Sequence, residues 1–159
     1  MGFDAKYDRD FYAWTREQAV RLREAAATGT NLPLDWENLA EEIESLGRSD
    51  YRGLASQMSR LIEHLLNLEH SPASNPRGGW ARTVRDARGQ IELITADSPS
   101  LKARYAEALD WAWRQGRNKA MDGLEQDGLG ESALPAQCPY SLEQLFDDDF
   151  QPVNRHGLD

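Results

Sequence analysis

The chain has 159 residues, of which 27 are acidic and 18 are Lys or Arg, so its formal net charge is -9. A field of this sign repels nucleic-acid phosphates and anionic membranes, and we expect neither as a partner. Cys138 is the one cysteine, which excludes an intramolecular disulfide, and no segment approaches the ~20 apolar residues of a membrane span. These features favour a cytoplasmic protein with a single domain over residues 1–152 and a frayed tail over 153–159.

The first predicted helix covers residues 9–27. Ala, Leu, Glu and Arg are common in the chain whereas Val and Ile are scarce, which favours helices over strands. A capping box of Thr15 and Gln18 is an alternative that would start the helix at Arg16. The apolar residues on one side of this helix are Phe11, Trp14, Ala19, Leu22 and Ala26.

The second predicted helix is long and covers residues 35–69. Asp35 is a candidate N-cap, and apolar residues recur at helical spacing across Gly47 and Gly53 without a change of phase. Two helices joined by a turn would lose that phase, so we predict one helix and leave a bend near Gly47 open. The apolar stripe contains Trp36, Leu39, Ala40, Ile43, Leu46, Leu54, Met58, Leu61 and Leu65.

Two further main helices and a short one complete the predicted fold. The third helix runs from Pro76 or Arg77 to residue 96. The fourth has Ser98 as N-cap and Pro99 as its first residue, a typical helix start, and ends near residue 124. A capping box at Ser141 opens a short C-terminal helix. The predicted fold class is therefore all-α, an antiparallel bundle of about four main helices with a long central helix.

Glutamates crowd the first turns of the second helix. Glu37, Glu41 and Glu44 share one flank, where acidic residues suit the positive end of the helix dipole. We interpret them as a charged surface matched to the arginines of the third helix. A carboxylate-bridged metal pair in a bundle would need Glu-x-x-His motifs, and the sequence contains none. We predict neither a metal nor a cofactor.

A second polar line on the same helix runs along one edge of the apolar stripe. Asp50, Gln57 and His64 are spaced by seven residues, and polar groups beside a core need partners. In one interpretation they hydrogen-bond to a neighbouring helix and set its register. In the other, His64 binds a ligand or transfers protons, because the pKa of histidine is ordinarily ~6.5. One or two of Asp50, Glu41 and Glu44 would join it in a concave site, together with Arg88 or Tyr105.

The fourth helix carries two tryptophans beside its apolar stripe. Trp111 and Trp113 flank that stripe, so at least one is expected near the surface, where it would mark a partner-binding patch. Cys138 precedes a proline and has no sequence signature of a catalytic base, so we interpret it as a structural thiol.

Six segments, in order along nearly the whole chain, resemble the bacterial domain-of-unknown-function family 29. They are YDRDFYAWT (7–15), LDWENLAEEIESLGRSDYR (34–52), LIEHLL (61–66), WARTVRDARGQI (80–91), SPSLK (98–102) and CPYSLEQLFDDDFQP (138–152). The chain departs from the family at Asn67 and Leu68, where a lysine-tryptophan pair is common. The resemblance implies a short all-helical protein without an assigned activity, so it assigns no catalytic residue.

Two functions from different classes remain open. The first is a helical interaction or regulatory module that binds another protein or a second copy of itself, and an antitoxin-like regulator is one version of it. The alternative is a small ligand- or metal-binding helical-bundle enzyme that uses His64 and neighbouring carboxylates.

Overall fold

The structure is a computed structural model that describes residues 3–158, and within that range the chain is helical without a strand. The α-helices are α1 (Phe3–Arg9), α2 (Phe11–Ala27), α3 (Trp36–His70), α4 (Arg77–Asp97), α5 (Tyr105–Gln126) and α6 (Leu142–Phe146), with 3₁₀ helices at Pro99–Arg104 and Glu131–Ala133. The predicted all-α class, with its long central helix and short C-terminal helix, is confirmed. Across residues 3–158, no helix is both long enough and apolar enough to cross a bilayer.

The long central helix is continuous, as the unchanged hydrophobic phase predicts. α3 has 35 residues, and at 1.5 Å per residue it is about 50 Å long. A Cβ at Gly47 would overlap the hydroxyl of Thr15 on α2. That hydroxyl is buried and donates a hydrogen bond of 2.7 Å to Tyr12 O. Gly47 is therefore a site of close helix–helix contact within an unbroken helix.

Residues 3–53 together with 93–104 form one compact unit, and residues 54–92 together with 105–158 form a second. The first unit contains α1, α2, the first half of α3, the end of α4 and the first 3₁₀ helix. Its buried side chains include Tyr12, Thr15, Ala19, Ala40, Ser98 and Leu101. The second unit buries Leu54, Met58, Leu61, Ile62, Leu65, Leu66, Val84, Ala87, Ala112, Leu124 and Leu145.

The beginning of α2 differs from the sequence prediction. Asp10 caps α2, because its Oδ1 accepts a 3.0 Å hydrogen bond from Ala13 N, and the helix begins at Phe11. The alternative start at Arg16 is wrong, since Thr15 lies inside the helix. α1 is a separate helix before this cap, and the sequence pattern did not predict it.

The start of the predicted fourth helix, with Ser98 as its N-cap, also differs from the structure. Residues 99–104 form a 3₁₀ helix, and α5 begins only at Tyr105. The Ser98 hydroxyl accepts a 3.0 Å hydrogen bond from Tyr12 N and donates to Asp50. The hydroxyl expected to cap a fourth helix is instead a link between α2 and α3.

Two leucines of the predicted apolar stripe are exposed. Leu39 is 39% exposed and Leu46 is 52% exposed, so their assignment to the core is wrong. In the first unit α2 packs on the side of α3 that carries Gly47, and each residue turns about 100° from the next. Leu46, which precedes Gly47, therefore lies about 100° around the helix from that contact.

The C-terminal segment, predicted to be a frayed tail, is held by hydrogen bonds. Asn154 is buried, and its Nδ2 donates to Leu68 O over 2.8 Å and to Ser71 O over 3.0 Å. Arg155 N donates to Glu69 O over 2.8 Å. Because these acceptors are the last carbonyls of α3 and the residue after it, the segment caps that helix.

Candidate functional site

The glutamates at the start of α3 form ion pairs with α2. Arg23 Nε lies 3.1 Å from Glu37 Oε1, and Arg23 Nη2 lies 3.0 Å from Glu44 Oε2. Arg48 Nη2 lies 2.5 Å from Glu41 Oε1. The predicted match to the third helix is wrong, because the partners of these glutamates are Arg23 on α2 and Arg48 on α3 itself. Glu41 and Glu44 are brought together by the two arginines they share. The group is partly exposed, and its three carboxylates share two guanidinium groups, which is typical of a helix-orienting surface network.

Asp50 belongs to a polar seam in the first unit. Its carboxylate accepts a 3.4 Å hydrogen bond from the Ser98 hydroxyl. Burial raises the pKa of Asp50, and the nearby Asp97 raises it further. Asp10 accepts from both the backbone and the hydroxyl of Ser100, at 2.8 and 2.7 Å. For Asp50, the geometry fits the interpretation in which polar residues fix helix positions.

His64 and Gln57 lie on α3 in the second unit, and both contain a buried atom without a partner. Nδ1 of His64 and Oε1 of Gln57 are inaccessible to solvent and form no hydrogen bond with the described residues. Burial lowers the pKa of His64 to about 4, with the positive charges of Arg60 and Lys119 acting in the same direction. The imidazole is therefore neutral near pH 7. These two atoms are the best support for a polar ligand.

Arg88 binds the chain itself. Its Nε donates to Leu145 O over 2.8 Å, and a terminal nitrogen donates to Gln144 O over 3.2 Å and to Phe150 O over 3.1 Å. The side chain is buried, and burial lowers its pKa. Most of its five N–H donors are thus engaged by backbone carbonyls. Arg88 holds α6 and the segment after it, which leaves little capacity for an external anion.

Tyr140 and Glu69 form a second buried anchor in the same unit. The Tyr140 hydroxyl donates to Glu69 Oε2 over 2.6 Å, and burial together with that carboxylate raises the pKa of Tyr140. Arg155 adds hydrogen bonds of 3.1 and 3.0 Å to the other oxygen of Glu69. Cys138 is half-buried, and burial raises the pKa of its thiol, so its reactivity toward electrophiles is low.

The two tryptophans of α5 have different environments. Trp111 is 42% exposed, whereas Trp113 is 9% exposed and donates from Nε1 to Ala136 O over 3.3 Å. Trp113 forms one wall of an open groove of about 450 Å³. The other lining residues are Arg114, Arg117, Asn118 and Ala136. At the N-terminal end of α5, an open groove of about 710 Å³ is lined by Tyr105, Leu142, Glu143, Phe146, Asp147 and Asp148.

Apolar surface is also exposed in the first unit. Leu32 and Leu34, in the segment before α3, are 60% and 51% exposed. We give the name leucine surface to these two residues together with Leu39 and Leu46, all four of which are exposed in the first unit. Single exposed leucines are common, but four within fifteen residues are an unusual concentration.

No group of three or more His, Cys, Asp or Glu side chains is placed to hold a metal in the part of the chain that the structure describes. A family model described as "Domain of unknown function DUF29" matches residues 6–151. The chain belongs to the DUF29 family. A solved α-helical protein of unknown function from Rhodospirillum rubrum is similar to it, with 26% identity over 91% of each chain and a TM-score of 0.73. None of the curated proteins compared matches the chain.

DUF29 membership confirms the resemblance carried by the six sequence segments and assigns no chemistry. Local sequence patterns in this DUF29 chain did not indicate Arg23 as the partner of the glutamates, nor the carbonyls bound by Arg88. One signal was available for the groove beside Trp113, because Arg114, Arg117 and Asn118 recur at helical spacing beside two tryptophans.

Proposed function

We propose that this DUF29 chain is a protein-binding module that docks a partner on the leucine surface of its first unit. The observation that carries this proposal is the exposure of Leu32, Leu34, Leu39 and Leu46, at 39–60% each. Apolar area removed from water contributes roughly 25 cal/mol per Å². A partner that covers these side chains would therefore gain a substantial part of its binding free energy there.

The charge around the leucine surface specifies the chemistry of the partner. Glu42 follows Leu39 by three residues and precedes Leu46 by four, so it borders both on α3. It is exposed and forms no ion pair with any residue between 3 and 158. With a net charge of -9 on the whole chain, the complementary partner presents apolar side chains edged by Lys or Arg.

The test compares two variants with the same type of substitution. The tagged chain is used to capture proteins from its native lysate, and each candidate is then purified and its binding measured by calorimetry. We expect Leu39→Ser/Leu46→Ser to weaken binding by at least about tenfold. Val20→Ser, at a valine that is 54% exposed on α2, should leave affinity unchanged. Equal binding by both variants, or no partner that binds as a purified protein, would refute the proposal.

A second candidate function is the binding of a small polar ligand at His64. It is supported by the buried, unpartnered Nδ1 of His64 and Oε1 of Gln57, because such atoms are costly unless something satisfies them. A thermal-shift screen of small polar metabolites tests it, with His64→Gln as the comparison. A compound that stabilises the wild type but not the variant supports this function, and a screen without any such compound removes its basis.

A further inference from the structure

The groove beside α5 in the second unit is basic although the chain is strongly acidic. We call it the α5 groove, and its charged lining residues are Arg114 and Arg117. Arg117 is oriented by a 2.8 Å hydrogen bond from its Nε to Pro135 O. That bond leaves the terminal nitrogens of Arg117 unpaired among the described residues. Arg114 forms a 3.0 Å pair with Asp110, but both side chains are mostly exposed, so this pair exchanges readily with other anions.

The groove also offers aromatic and amide groups. The Trp113 ring is fixed by its hydrogen bond to Ala136 O. Asn118 lies one turn beyond Arg114, and Trp111 lies one turn before it, so both share its face of α5. Guanidinium groups bind carboxylates through paired hydrogen bonds. The groove is thus suited to a carboxylate-rich segment that carries aromatic side chains.

One segment with that chemistry belongs to the chain itself. Asp147, Asp148 and Asp149 are exposed, and they lie between Phe146 and Phe150. We call residues 146–150 the acidic segment. The Phe146 ring packs against Tyr105 with centroids 4.6 Å apart. Arg88 donates hydrogen bonds to Leu145 O, just before the segment, and to Phe150 O at its end. A segment held in this way loses little conformational entropy on binding.

We propose that the α5 groove binds the acidic segment of a second copy of this chain. Within one copy, neither Arg114 nor Arg117 forms an ion pair with Asp147, Asp148 or Asp149, as far as the described residues show. Each copy therefore presents a groove and an acidic segment that do not bind each other; the nearest charges are Asp110 beside Arg114, and Arg88 near Asp147 and Asp148. Because the two surfaces differ, the association is head-to-tail, and copies add until a ring closes or a chain of subunits grows.

This inference belongs to the same class as the proposed protein-binding function but uses a different surface. Sedimentation of the full chain over a concentration series provides the first measurement, and we expect species larger than a dimer. The groove variant Arg114→Glu/Arg117→Glu and the segment variant Asp148→Lys/Asp149→Lys should each be monomeric. The segment variant spares Asp147, whose side chain accepts a 2.9 Å hydrogen bond from Asp149 N.

Mixing the two variants is the decisive experiment. The groove variant retains its acidic segment and the segment variant retains its groove, so the mixture should regain the association that each variant lacks alone. Charge-matched controls, Arg82→Glu/Arg85→Glu and Asp122→Lys/Glu125→Lys, change exposed residues outside both surfaces. They should associate as the wild type does. A second groove variant, Arg114→Glu/Asn118→Asp, keeps the Arg117 hydrogen bond to Pro135 and should also be monomeric. Circular dichroism and melting temperature verify that each variant is folded.

Three outcomes overturn the proposal. They are a wild type that remains monomeric, folded groove variants that still self-associate, and a mixture of the two variants that forms no complex. Loss of self-association in Leu39→Ser/Leu46→Ser, with unchanged association in the groove variants, would assign self-binding to the leucine surface. In that case this inference fails while the proposed protein-binding function stands.

Discussion

At the scale of single residues, Gly47 and Gly53 of α3 show two different effects of glycine: at Gly47 close packing requires it, whereas at Gly53 it only lowers helix propensity. A Cβ at Gly47 would collide with the buried Thr15 hydroxyl and lie 3.3 Å from the Tyr12 ring, whereas at Gly53 the nearest atom would be 3.7 Å away. We expect Gly47→Ala to lower the free energy of unfolding by about 1–3 kcal/mol, because the contact is overpacked. Gly53→Ala should raise it by about 0.4–1 kcal/mol by restricting the unfolded chain.

Urea denaturation of the two variants measures both values, and each serves as the control for the other. A Gly47→Ala variant as stable as Gly53→Ala would show that α2 moves away from α3 at little cost. The sequence predicts that α3 continues through Gly47, because the apolar phase is unchanged there. It does not predict why glycine is required, since the hydroxyl it meets is 32 positions away in the chain.

At the scale of elements, Arg88 is the connection between α4 and the C-terminal segment. It donates to carbonyls of α6 and of Phe150. We expect Arg88→Met to lower the free energy of unfolding by on the order of 3 kcal/mol, because several buried carbonyls lose a charged donor. Amide hydrogen exchange should accelerate most over residues 141–152. The control Arg85→Met, on an exposed residue of α4, should change neither quantity, and unchanged exchange in the Arg88 variant would contradict the assigned role.

The helices that could be predicted are those whose signals are local. Periodicity predicts α3 and α4 to within a residue or two, and the Ser141–Gln144 capping box predicts the start of α6. Errors arise where a distant neighbour decides the outcome. Leu39 and Leu46 have core spacing but are exposed, because the α2 contact lies on the Gly47 side of α3, and Ser98 has capping chemistry but its hydroxyl is bound to Tyr12 N.

At the scale of the whole molecule, a net charge of -9 does not show that the chain has both positively and negatively charged local surfaces. The composition correctly describes the field far from the chain, but it cannot show that Arg114 and Arg117 line one groove while three aspartates project from another place in the second unit. His64 illustrates the same limit, because its spacing with Asp50 and Gln57 predicts a polar line, and only the packing shows that two of the three contain unpartnered atoms.

Acidification reports on the molecule as a whole and on His64 at the same time. The pKa of His64 is lowered from 6.5 to about 4 in the folded chain, so the unfolded chain binds the proton first as pH falls. The stabilising contribution of neutral His64 is therefore complete above pH 6.5 and is lost progressively between pH 6.5 and 4. We expect the free energy of unfolding of the wild type to fall across this window relative to that of His64→Gln, measured by urea denaturation at each pH. The solubility minimum near the pI of 4.8 should be the same for both folded proteins, because it depends on total charge and His64, with its pKa of about 4, is still mostly neutral at pH 4.8. Parallel stability curves for the two proteins would mean that His64 is protonated as easily in the folded chain as in the unfolded one, and its burial would then have no electrostatic consequence.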